Sequence, residues 1–143
     1  MQRTRQLILV VLAPVLVLAA LAWANDQKQV EQRIPWQSDV FKAMEQARDE
    51  DKPLMVFFTA EWCAPCKEMK RTLWIDDEVV SAAENVVPVM IDVDAQPELW
   101  EKFLLRSLPT TLLIGPDGVE AQRFVGPPSS DQLISNINAL ASK

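Results

Sequence analysis

The chain has no histidine. Its absence removes the usual general base at neutral pH, the Ser-His and Cys-His nucleophile pairs, and most zinc and copper sites. Cysteine is nearly as scarce, with two residues, Cys63 and Cys66. Two thiolates without other soft ligands cannot close a structural zinc site, so neither a metal nor a cofactor is expected. Glycine is also rare, at 3 of 143 residues, whereas proline reaches 10 without a periodic repeat. Collagen-like and low-complexity architectures are therefore excluded, and no period typical of solenoids or propellers occurs. The chemistry left open is mostly that of cysteine.

Positive charge is in short supply. The formal net charge is −6, and the first 24 residues contain Arg3 and Arg5 with no acid. The remainder carries 12 basic against 20 acidic residues, a net of −8. A body of that sign repels phosphate, so nucleic acid is not an expected partner. A length of 143 residues and a hydrophobic fraction of 49% suit one domain with a single core.

Part of that apolar content sits in one run. Residues 7–24 are uninterrupted by charge, and Pro14 alone breaks their shape. The run ends Ala22-Trp23-Ala24, an A-x-A cleavage pattern behind a basic start, which describes a secretory signal peptide. Eighteen residues also just span a bilayer of about 30 Å at ~1.5 Å per residue, so an inner-membrane anchor is the alternative. Arg3 and Arg5 are separated by Thr4, so there is no twin-arginine pair. Either reading exports the body to the periplasm or another extracytoplasmic space, because positive flanks stay inside. There a dithiol and its disulfide are both relevant states.

Residues 25–36 read as a polar linker, and residues 37–143 as the folded domain. Ser38 is a candidate cap for a helix with Val40, Phe41, Met44 and Ala47 on one face, stopped by the charged residues 48–52 and Pro53. Residues 54–58 form an apolar run suited to a strand covered on both faces. The spacing predicts a helix over 63–74, with Met69, Leu73 and Trp74 on its apolar side, and another over 76–84. Residues 86–93 read as a strand near an edge, because Pro88 cannot donate to a ladder. Pro97 opens a short helix carrying Leu99, Trp100, Phe103 and Leu104. Residues 110–114 and 120–125 form a hairpin around the turn Gly115-Pro116-Asp117-Gly118. Ser129 and Gln132 form a capping box for a last helix with Leu133, Ile134, Ile137, Leu140 and Ala141 at helical spacing. Strands alternating with helices call for parallel pairing through right-handed crossovers, and the hairpin adds antiparallel strands. The expected fold class is α/β, a mixed central sheet with helices on both faces and a C-terminal hairpin plus helix.

Cys63 and Cys66 follow the first strand at the start of a helix, in Trp62-Cys63-Ala64-Pro65-Cys66-Lys67. Two intervening residues make one turn and hold both sulfurs within bonding range. The free N–H groups and the positive dipole end of the helix favour a thiolate on the first cysteine, and Lys67 adds a positive charge. Lowering a thiol pKa from ~8.5 to ~7 makes about half of it nucleophilic at neutral pH, a change worth roughly 2 kcal/mol. The competing reading is a structural disulfide. So short a loop removes little entropy from the unfolded chain, which makes the bridge a poor staple.

The segment Phe58-Thr59-Ala60-Glu61-Trp62-Cys63-Ala64-Pro65-Cys66-Lys67 resembles the active-site segment of the thioredoxin superfamily. Ser107-Leu108-Pro109-Thr110 is similar to its substrate-binding loop, and Gly126 also fits. The resemblance covers roughly residue 41 to the C-terminus. Cys66-Lys67-Glu68-Met69, the insert through Asp76-Asp77-Glu78-Val79 and the exported address look most like the C-terminal periplasmic domain of DsbD-type thiol reductases and related small secreted proteins. The resemblance implies a thioredoxin-like fold and an exported thiol–disulfide oxidoreductase that reduces, or relays electrons to, protein disulfides. It implies Cys63 as nucleophile and Cys66 as resolving thiol. Pro109, cis in the family, would shape a groove in which the Leu108 main chain pairs with a bound peptide, flanked by Trp62. Implied partners are exported protein thiols and disulfides, with a transmembrane thiol reductase as electron donor.

Two departures stand out. The family places a buried acid six residues before the first cysteine, and here that position is Phe57; Glu61 is the nearest candidate to replace it. Ala64-Pro65 stands where thioredoxin has Gly-Pro, and proline before the second cysteine leans towards a reductant. Potentials on this fold span roughly 150 mV, about 7 kcal/mol for two electrons, which a dipeptide does not fix. A disulfide oxidase or isomerase, and a non-enzymatic binding module that uses the groove near Pro109, stay open. Pro109 also fits an ordinary strand start, Trp62 fits packing, and Glu61 and Lys67 are either tuning groups or surface charges.

Overall fold

The computed structural model describes residues 33–142. The signal peptide or anchor expected over 1–24, and the linker as far as residue 32, lie outside the described residues. Residues 33–36, expected to close that linker, belong to the folded unit that begins at Arg33. Ile34 is buried, and Trp36 stacks edge-on against Trp74 at 5.1 Å between ring centroids.

The elements in chain order are α1 (Val40–Asp49), β1 (Leu54–Thr59), α2 (Ala64–Arg71), a 3-10 turn (Leu73–Ile75), α3 (Asp77–Ala83), β2 (Val87–Asp92), α4 (Glu98–Lys102), β3 (Thr110–Ile114), β4 (Glu120–Val125) and α5 (Ser130–Ala141). The four strands form one sheet in the order β2-β1-β3-β4. β1 runs parallel to β2 and antiparallel to β3, and β3 runs antiparallel to β4. This is the mixed sheet expected from the pattern of strands and helices.

β1 is central, and all six of its residues are buried. Successive side chains of a strand point to opposite faces. Phe57 meets Trp74 on one face at 5.2 Å, and Phe58 meets Phe103 on the other at the same distance. Both faces of the sheet are therefore covered, which is why the run carries no polar alternation. Full burial of each ring stabilises the fold by about 1.5–3 kcal/mol before packing effects.

β2 is an edge strand, as Pro88 requires. Its outer side receives a short parallel bridge from Gln37. The Gln37 N–H donates to the Pro88 carbonyl at 3.0 Å, and the Met90 N–H donates to the Gln37 carbonyl at 2.9 Å. Residues 88 and 90 thus turn their main-chain groups outward, so the proline costs the β1 ladder nothing.

Several local expectations are corrected. Asp39, not Ser38, caps α1: its carboxylate accepts from the N–H groups of Phe41 and Lys42 at 3.1 and 3.2 Å. The buried stripe of α1 is Val40, Ala43 and Ala47, whereas Phe41 is exposed with Lys102 above its ring. The helix expected over 63–74 is α2 plus the 3-10 turn. Thr72 separates the two, with φ −123° and ψ −67°, outside both the helical and the extended regions, and its hydroxyl donates to the Glu68 carbonyl. That local bond competes with the helical ladder, as hydroxyl side chains do. Leu104, expected on the apolar side of α4, lies beyond the helix end and faces water. Among the described residues no helix is long and apolar enough to cross a membrane.

Candidate active site

The strand registers bring the carboxyl ends of β1, β2 and β4 and the amino end of β3 to one end of the sheet. The segments 60–63, 93–97, 103–109 and 126–129 all leave or enter the sheet there. Cys63 and Cys66 sit in the first of these connections and in the helix it opens.

The two cysteines are joined by a disulfide, with Cα atoms 5.3 Å apart. Cys63 is the N-cap residue of α2, with extended backbone angles, and its Sγ accepts the Cys66 N–H at 3.3 Å. A free N–H of the first helical turn is thereby aimed at the first sulfur. The same bond made to a thiolate would be charge-assisted and stronger. Pro65 occupies the first turn, where a missing N–H is harmless. Cys66 is fully buried, while Trp62, Ala64 and Pro65 around Cys63 are exposed. Cys63 is itself only 3% exposed, so both cysteines are buried and the asymmetry lies in the exposed neighbours that surround Cys63.

Trp62 stands 64% exposed, which argues against a core role. Its indole N–H donates to an Asp94 carboxylate oxygen at 3.2 Å. Asp94 is held in turn, because its N–H donates to the Asp92 carboxylate at 2.9 Å. Sequence reading missed Asp94. Its one local signal is the Asp92-Val93-Asp94 spacing just past β2, a side-chain turn pattern that does not reveal a contact to residue 62.

The Leu108–Pro109 peptide is cis. Pro109 is buried, and its carbonyl accepts the Gly126 N–H at 2.8 Å, which ties the loop to the end of β4. Gly126 has φ +91°, a conformation suited to glycine. The Thr110 hydroxyl closes the loop from the other side by donating to the Ser107 carbonyl at 2.7 Å. Among the described residues the Leu108 main chain makes no backbone hydrogen bond, and its side chain is half-buried.

Phe57 is fully buried with Trp74 and Trp36 around its ring. Glu61 does not reach that interior. It is exposed and faces the Lys67 ammonium at 3.9 Å, with side-chain exposures of 80% and 53%. The buried polar side chains on the Phe57 face are Thr59, two residues along β1, and Thr111, directly across on β3. A groove of about 470 Å³ opens beside α2, lined by Pro65, Met69, Pro127 and Ser130 among others. Among the described residues no cluster of three or more metal-ligating side chains occurs.

Comparison with known proteins agrees with this arrangement. Residues 35–116 match a family model described as thioredoxin-like. The chain is 36% identical over 98 residues to the chloroplastic thioredoxin Y2 of Arabidopsis thaliana, covering 67% of this chain and 56% of that protein. It is 34% identical over 120 residues to the thiol:disulfide interchange protein DsbD of Ralstonia nicotianae, covering 80% of this chain and 20% of that protein. The chain thus spans about half the length of the first relative and a fifth of the second. The oxidised C-terminal domain of Neisseria meningitidis DsbD superposes with a TM-score of 0.63 at 29% identity, over 73% of this chain and 98% of that domain.

Proposed function

The chain belongs to the thioredoxin-like family of thiol–disulfide oxidoreductases, and we propose that the whole protein passes electrons from a dithiol donor to protein disulfides outside the cytoplasm through Cys63 and Cys66. The observation that carries this reading is the Cys66 N–H donated to the Cys63 sulfur at the start of α2. It supports the reading of Cys63, rather than Cys66, as the site of negative charge.

In the reduced protein the Cys63 thiolate attacks one sulfur of a substrate disulfide. A Cys63–substrate bond forms, the substrate S–S bond breaks, and the leaving thiolate takes a proton from solvent. Cys66 then loses its proton and attacks the Cys63 sulfur. The Cys63–Cys66 bond forms, the second substrate thiol departs, and two electrons have passed to the substrate. A dithiol donor reverses these steps to restore the reduced pair. Trp62, fixed by Asp94, flanks the Cys63 sulfur. The free main chain of Leu108, presented by the cis Pro109 loop, pairs with the substrate backbone in the manner of an added strand. Glu61 and Lys67 form an exposed pair whose influence on the sulfur is weak because water screens it.

The exported location rests on the charge and hydropathy of residues 1–24. The exchange chemistry rests on the site and on similarity to an interchange protein. The proposed donor is a transmembrane thiol reductase, and the acceptors are exported proteins with reducible disulfides.

Cys66→Ala tests the reading. The variant is expected to accumulate a mixed disulfide with its partner through Cys63, visible as a dithiothreitol-sensitive adduct, while turnover is abolished. If no adduct forms and the wild-type disulfide fails to exchange with dithiothreitol, the redox role is wrong. If Cys63→Ser leaves function intact in cells, a binding module is the better description.

A further inference from the structure

Leu104 occupies a position its backbone and its surroundings both disfavour. Its φ is +50°, in the left-handed region that bulky side chains rarely adopt. It ends α4 through two bonds, its own N–H to the Glu101 carbonyl at 3.1 Å and the Leu105 N–H to the Trp100 carbonyl at 2.9 Å. That pair of bonds calls for a left-handed residue, and glycine fills the role at least cost. Leucine here gains little burial in return, since it is 76% exposed. Strain held at an exposed apolar side chain has neither a backbone nor a core explanation.

Its place in the fold supplies one. Leu104 lies in the segment that enters β3 five residues before Pro109, at the same sheet end as the disulfide. The large apolar side chains exposed among the described residues are Phe41, Trp62, Leu104, Val119 and Val125. Val119 sits in the β3–β4 turn at the far end. Trp62 precedes Cys63, Val125 ends β4 beside Thr110, and Phe41 begins the helix that runs back to the start of β1. Four of these five exposed apolar side chains thus belong to segments that meet at the sheet end carrying the disulfide. Phe41 is already covered by Lys102, whereas Leu104 is open.

We propose that Leu104 is a specificity residue of the exchange reaction, resting against an apolar side chain that neighbours the reacting cysteine of a protein or peptide disulfide. The inference rests on the function proposed above and adds a substrate preference to it. Covalent steps are those already described; Leu104 takes no part in them and acts on association of the substrate.

The test uses two synthetic peptide disulfides that differ in one residue beside the cysteine, leucine in one and aspartate in the other. Oxidised glutathione serves as a substrate with no apolar side chain beside its cysteine. Wild-type protein is expected to reduce the leucine peptide at least fivefold more efficiently, by kcat/KM, than the aspartate peptide. Leu104→Gly and Leu104→Asn should lose that preference through KM, and Leu104→Met should keep it. All variants should act on glutathione disulfide within twofold of wild type. Leu104→Gly should also unfold at a temperature no lower than wild type, because strain is relieved. An unchanged preference in Leu104→Gly, no preference in the wild type, or a loss of stability in Leu104→Gly would overturn the proposal while leaving the redox function standing. Failure of the wild type to reduce any of the three disulfides would instead sink the function and the proposal together.

Discussion

Phe57 shows how a single residue changes the chemistry expected of a familiar site. In the proposed reaction Cys66 must lose a proton to resolve the mixed disulfide, yet the position six residues before Cys63 is filled by Phe57, packed with Trp74 and Trp36. Glu61, the acid nearest in sequence, is turned to water beside Lys67. Deprotonation of Cys66 therefore depends on solvent. Phe57→Asp is expected to speed resolution of the mixed disulfide at neutral pH, followed by rapid quenching and alkylation. It should also cost about 3–5 kcal/mol through lost ring packing, with the buried carboxylate adding to that. An unchanged resolution rate would show that proton removal does not limit the step. At this scale the sequence is legible where chemistry is local. Cys63, Cys66 and Phe57 are fixed by their offsets from one strand and one helix start. Asp94 was not legible, because its bond to Trp62 joins residues 32 positions apart and depends on where β2 ends.

Helix starts carry much of the local specification, and they show how far spacing alone can be read. Ser129 and Gln132 form the complete box expected: the Ser129 hydroxyl accepts the Gln132 N–H, and the Gln132 side chain accepts the Ser129 N–H, both at 3.2 Å. Ser129→Ala should therefore cost about 1 kcal/mol, read as a lower urea midpoint with the exchange rate for glutathione disulfide unchanged. At α1 two adjacent residues, Ser38 and Asp39, can both cap, and periodicity cannot separate them; the structure selects Asp39. The Lys42 main-chain N–H, before any other favourable cause, holds the Asp39 carboxyl below its usual value of 3.8. Because the folded value is depressed, the stabilisation is present above about 3.8 and is lost as pH falls through the lower folded value. Asp39→Asn keeps a capping oxygen and removes the titration. It should flatten the fall of Tm measured by calorimetry between about pH 5 and pH 2; a slope identical to wild type would refute the assignment of the cap. α4 marks the limit of pattern reading. Leu104 fits an apolar period, yet the helix ends before it, and a helix end is decided by main-chain bonds that periodicity does not record.

For the whole molecule, topology was legible because few connections satisfy parallel pairing, right-handed crossovers and one hairpin together. The direction of electron flow was not, because it is a small difference between two folded states. Two terms of opposite sign set it. Oxidation closes a loop between residues three apart in sequence, and the chain-entropy estimate for so short a loop is about 2 kcal/mol in favour of the disulfide. Reduction frees the Cys63 sulfur to become a thiolate that the Cys66 N–H stabilises, and charge-assisted bonds of this kind are worth roughly 1.5–3 kcal/mol. Because folding and oxidation are linked, the stability difference between the two forms equals the shift in reduction potential from an unfolded dithiol, about 30 mV for each 1.4 kcal/mol. A protein that donates electrons needs the disulfide to be the more stable form. We therefore expect the oxidised protein to unfold at the higher temperature, by roughly 4 °C for each kcal/mol in a domain of this size. Paired calorimetric scans with and without an excess of reductant measure the difference directly. A reduced form that melts higher than the oxidised form would reverse the proposed direction and make the protein an oxidant, with the same two cysteines and the same groove.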